Sequence, residues 1–164
     1  MRISLPFEPP KCTDGWFTGV AIQLQLDNGF SMDAEQIINE LEKNFSARRR
    51  CGLPTPIDFP FSIIKEWASV SELTASDLLD DLAKCVAIKY YIKEISYESS
   101  DWIMNNLFNA VVSSESSTFT ELFVEIYNAF DAGEYYRDAD RNEQPDEFYT
   151  RPAVAAIIQK FTHA

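Results

Sequence analysis

Seven carboxylates fall between Asp131 and Glu147, against only two cations, Arg137 and Arg141. Within them, Asp138-Ala-Asp140-Arg-Asn142 places side-chain oxygens at the first, third and fifth positions of a calcium-binding loop. The sixth position, where the sharp turn requires glycine, is Glu143, and the twelfth, where a bidentate glutamate closes the site, is Tyr149. No metal and no cofactor is therefore expected there. The single histidine, His163, is the penultimate residue, where chains fray, so Ser-His and Cys-His nucleophile pairs lack a fixed general base. None of the five glycines forms a phosphate-cradling loop. Acids on apolar helical faces, which a carboxylate enzyme would need, do not stand out. The expectation is a protein that binds and does not catalyse.

Charge narrows the class of partner. The net charge is −12 and the isoelectric point about 4.4, which argues against nucleic acid and anionic membrane surfaces, both of which require cations facing phosphates. Residues 66–147 carry eighteen acids and five bases, while residues 1–50 are nearly balanced with seven and six. A one-sided acidic field steers a cationic partner. The basic triplet Arg48-Arg49-Arg50 sits where the macrodipole of a preceding helix favours cations, and that structural role suffices for it. Cys12, Cys51 and Cys85 are odd in number and widely spaced, which points to thiols in a reducing compartment. The N-terminus lacks a signal-like apolar run, and no stretch approaches the ~20 apolar residues of a membrane span, so a cytoplasmic protein is expected.

The elements that must position these acids are helices. At 164 residues the chain reads as a single domain over 1–164, mostly α, a bundle of about six to seven helices behind an extended N-terminal arm. Trp16–Leu26 alternates like a strand yet also carries a helical face; helix is preferred because no convincing partner strand exists, a short strand or hairpin being the alternative. Ser31 or Asp33 caps a helix burying Ile37, Ile38, Leu41 and Phe45, and Pro54, Pro56 and Pro60 then enforce a stiff crossover. Ile63, Ile64 and Trp67 mark the next helix. Thr74 begins a long one with Leu78, Leu79, Leu82, Val86 and Tyr90 in register, and a second stripe of Ile88, Tyr91, Ile92 and Ile95 suggests burial on several sides. Ser99 or Ser100 caps a helix burying Ile103, Met104, Leu107, Phe108 and Val111. Thr118 with Glu121 reads as a capping box for Leu122, Phe123, Ile126, Tyr127 and Phe130, stopped at Gly133. A last helix runs from about Pro152 with Val154, Ile157, Ile158 and Phe161 inward.

Between the last two helices, Tyr135, Tyr136, Phe148 and Tyr149 interleave with the acids. Tyrosine offers rigid area with a polar tip, and carboxylates offer pairing to lysine and arginine, a combination that suits an interface. Half of these rings are expected to complete the core. From Phe130-Asp-Ala-Gly-Glu-Tyr-Tyr-Arg to Phe148-Tyr-Thr-Arg-Pro152, the sequence resembles bacterial toxin-immunity proteins of contact-dependent growth inhibition systems. That resemblance implies a small cytosolic protein that covers the active site of a cognate, basic, nuclease-type toxin domain. On this reading Glu134, Asp138, Asp140, Glu143, Asp146 and Glu147 would meet the toxin's cations, with Tyr135 and Tyr136 as anchors. The alternative from the same charge is an acidic nucleic-acid mimic inhibiting a restriction or CRISPR enzyme, which predicts charge spread over an elongated surface.

Overall fold

The computed structural model describes residues 33–52, 60–114, 119–137 and 142–162. The chain divides into Met1–Phe30 and Ser31–Ala164, and every described residue belongs to the second unit. The expected N-terminal arm, the Trp16–Leu26 alternatives and Pro54 and Pro56 of the crossover lie outside the described residues.

Within them the architecture is an all-helical bundle: α1 (Ala34–Arg50), α2 (Phe61–Val70), α3 (Ala75–Tyr91), α4 (Tyr97–Val112), α5 (Glu121–Asp131) and α6 (Arg151–Thr162), with a π-helical turn, Asp146–Thr150, leading into α6. Among the described residues there is no strand, and no helix is long and apolar enough to cross a membrane. α3 is the centre, packing against α1, α2, α4, α5 and α6.

Four of the helices, α1, α3, α4 and α5, start where a side-chain oxygen takes up an orphan backbone N–H. Asp33 caps α1, accepting from the Gln36 amide at 2.8 Å while the Gln36 side chain returns to the Asp33 amide. Thr74 caps α3 through the Asp77 amide. Two expected caps are corrected. α4 is capped by Ser96, which accepts from the Ser99 amide at 3.1 Å, while Ser99 and Ser100 lie buried in its first turn. α5 is capped by Thr120, whose hydroxyl accepts from the Phe123 amide at 3.1 Å and also bonds Asp80 of α3; Thr118 lies outside the described residues. The Thr120 hydroxyl thereby ties the start of α5 to α3.

The core follows the apolar stripes. Ile37, Ile38, Leu41 and Phe45 of α1, Ile64 and Trp67 of α2, Leu78, Leu79, Leu82, Val86 and Tyr90 of α3, Ile103, Met104, Leu107 and Val111 of α4, Phe123, Ile126 and Phe130 of α5, and Val154 and Ile157 of α6 are all buried. Each large member contributes roughly 1.5–3 kcal/mol of burial. Ile63, Phe108, Leu122, Tyr127, Ile158 and Phe161 are only half-buried, being at the edges of their stripes, and Phe61 takes Ile63's place in the core. Phe108 lies in a near-parallel aromatic stack, 4.1 Å from Tyr127 and 4.7 Å from Phe119, that seals α4 against α5.

The second stripe of α3 is a further correction: Ile88, Tyr91 and Ile92 are 39%, 44% and 55% exposed. A helical period identifies an apolar side, but covering that side needs another element. Lys89 between them is buried, with its ammonium 3.0 Å from Glu35 of α1 and 2.8 Å from Glu94 beyond the end of α3. Those two charged hydrogen bonds hold it protonated against the cost of burial. Cys85 is a free thiol.

Candidate functional site

The acidic connector hangs from two points that touch. α5 ends at Asp131, and Gly133 follows with its backbone pressed against the opposite end of the connector. A Cβ at Gly133 would lie 2.3 Å from Thr150 Oγ1 and 2.9 Å from the Tyr97 ring and hydroxyl. Only glycine lets the two ends approach this closely. Tyr97 in turn donates to the Phe130 carbonyl at 2.8 Å, and Tyr90 donates to the Asp146 carbonyl at 3.3 Å. The rings of Tyr90, Tyr97 and Phe130 pack together with centroids 5.3–6.4 Å apart. Arg151 covers this cluster, stacking 4.9 Å from the Tyr90 centroid, donating to the Tyr91 carbonyl at 3.3 Å and pairing with Glu147 at 2.7 Å.

The π-helical turn has a local cause. Pro152 lacks an N–H, and within a regular helix its ring would strike the carbonyl four residues back, so the wider turn just before it accommodates the proline. Helical structure thus reaches Asp146 and carries Asp146 and Glu147 out of the loop in which the sequence alone had placed them.

The eight expected site residues separate into groups. Glu134, Tyr135 and Tyr136 lie together directly after Gly133, all exposed, with Tyr135 at 59% and Tyr136 at 51%. Asp138 and Asp140 lie outside the described residues. Glu143 accepts a 2.9 Å hydrogen bond from the Tyr149 hydroxyl. Asp146 and Glu147 stand at the far end, on the rim of a notch of about 330 Å³ lined also by Tyr90, Lys93, Glu94, Tyr97 and Arg151. The notch is largely neutralised from within, because Glu94 pairs with Lys89 and Glu147 with Arg151.

Of the four connector aromatics, Tyr149 alone turns partly inward, with Arg137 stacked 3.6 Å from its ring centroid and donating from its other side to the Ala132 carbonyl at 3.1 Å. Tyr135, Tyr136 and Phe148, the last 61% exposed, face outward, so fewer rings complete the core than expected. Arg137 and Tyr149 brace the connector across its width.

Sequence reasoning passed over the residues behind this face. Asn105 of α4 donates to Asp101 Oδ2 at 3.1 Å and to Glu134 Oε1 at 3.2 Å, and accepts from the Tyr127 hydroxyl at 3.3 Å. Asn105 thus gathers the Asp101 and Glu134 carboxyls on one amide nitrogen. Burial first, then the charges of Glu134 and Asp131, push the Asp101 carboxyl up to about 7. An acid does therefore sit half-buried on α4, where the sequence marked none. Its available signal was the i, i+4 pairing of Asp101 with Asn105 on a helix otherwise rich in buried residues. Among the described residues, no group of three or more histidine, cysteine or acidic side chains has the arrangement to hold a metal ion.

Compared with known proteins, the chain matches no family model, no curated protein and no solved structure.

Proposed function

We propose that this protein is a binding protein of the immunity type, which neutralises a basic, nuclease-type toxin domain by covering its active site. One observation carries the reading: Tyr135, Tyr136 and Phe148 are all more than half exposed on an acidic connector whose two ends are pinned to the core. Large aromatics held outward on a braced scaffold lose little conformational entropy on binding, which makes them suitable anchors. The flanking carboxylates speed encounter with a cationic surface. In this role the protein acts by occlusion and needs neither cofactor nor catalytic residue.

The test is co-expression with the product encoded immediately upstream, scored for a stable complex and for rescue of growth. Replacing Tyr135 and Tyr136 together by alanine should weaken the complex at least tenfold with the fold intact by circular dichroism, in line with the loss of interface anchors. An association rate that falls as salt rises accompanies that result. Absence of both complex and rescue would overturn the immunity role.

A further inference from the structure

The start of the connector is fastened to the bundle by a contact unlike any other in the described residues. Asp101 projects from the second turn of α4, Glu134 follows the Gly133 pinch, and an oxygen of each carboxyl lies within 3.2 Å of the same Asn105 amide nitrogen. Two carboxylates gathered on one amide donor repel, and a proton kept between them removes that repulsion and lets one carboxyl donate to the other. Asn105 is placed to hold both acceptors at once, its amide nitrogen 3.1 Å from Asp101 and 3.2 Å from Glu134, with its oxygen fixed by the Tyr127 hydroxyl. The titratable groups facing the pair are Tyr97 of α4, Tyr127 and Asp131 of α5, and Tyr135 of the connector. All are acids or phenols, so nothing in this set offsets a second negative charge.

We propose that Asp101 and Glu134 form a proton-sharing clasp that holds the first residues of the connector against α4 and opens when the shared proton is lost. The step is an acid dissociation: the proton leaves to water, the donor becomes a second carboxylate, and repulsion among Asp101, Glu134 and Asp131 replaces a hydrogen bond. The burial that raises the Asp101 carboxyl to about 7 places the transition near neutrality. Gly133 stays pinned by Thr150 and Tyr97, so opening is confined to Glu134 and the residues after it. The device follows from the fold of this chain and does not depend on the partner proposed above.

Carbon-detected NMR titration of the side-chain carboxyls tests it in the unmodified protein. The Asp101 carboxyl should titrate near pH 7, and the backbone amides of Glu134 and Tyr135 should shift with the same midpoint. Exchange of the Glu134 amide, corrected for the intrinsic pH dependence, should speed up about tenfold between pH 6 and 8. Asp101→Asn keeps a permanent donor toward Glu134 and should make both amide responses flat; Glu134→Gln should do the same from the other side. An Asp101 midpoint below about 5 in the unmodified protein overturns the proposal. So does a midpoint near 7 that leaves the Glu134 and Tyr135 amides unmoved.

Discussion

Replacing Gly133 by alanine probes the pinch that closes the connector. The added methyl would stand 2.3 Å from Thr150 Oγ1 and 2.9 Å from Tyr97, where ordinary contact begins near 3.4 Å. Neither neighbour yields freely. Thr150 is fully buried, and Tyr97 cannot retreat without stretching its 2.8 Å hydrogen bond to the Phe130 carbonyl. Overpacking of this kind costs about 1–3 kcal/mol, and the weakened hydrogen bond about 1 kcal/mol more, for a destabilisation of roughly 3 kcal/mol. Urea titration followed by circular dichroism reads that directly, and a thermal midpoint should fall by roughly 6–12 °C. Thr150→Ala removes the nearest atom, a hydroxyl with no hydrogen-bond partner. In the double variant it should recover about 1–2 kcal/mol, appearing as coupling in a double-mutant cycle. A loss below about 1 kcal/mol for Gly133→Ala, or strict additivity with Thr150→Ala, would refute the close-approach account of this glycine.

Two further outcomes follow from the same contacts. Asp101 has a folded-state value raised from 3.8 to about 7, so its favourable contribution is fully present below the unfolded value and is lost as pH rises through 7. Allowing for its solvent-facing side, stability should decline by about 2 kcal/mol between pH 4 and 8 relative to Asp101→Asn, measured as the difference between their urea curves. Thr120→Ala removes the α5 cap and its tie to Asp80 together and should cost about 1–2 kcal/mol, while Thr120→Ser retains most of that on the same urea assay.

The helices were legible because their signals are local. Asp33 and Thr74 stand directly before their helices with a backbone N–H in reach, and the stripes Ile37 to Phe45 and Leu78 to Tyr90 repeat at the helical period. Reading failed where tertiary contacts decided. Thr118 offered the better local capping pattern, but Thr120 is the one that reaches Asp80. Ile88, Tyr91 and Ile92 share the chemistry of core residues and differ only in what lies opposite them. At the connector, the sequence identified Tyr135 and Tyr136 among acids, since composition alone carries that signal. It gave no sign that Gly133 meets Thr150 or that Asp101 meets Glu134, because both contacts join segments that local periodicity treats separately.

The contact between Gly133 and Thr150 also bears on how this surface can change over evolutionary time. A loop whose ends already touch imposes no length on what lies between them, and doubling it costs only about 0.6 kcal/mol in closure entropy. The number of residues between Tyr136 and Asp146 is therefore not fixed by the helices at either end. Insertions there would leave the helical packing in place, whereas changes at Glu134, Asp146 or Glu147 would disturb contacts with the bundle.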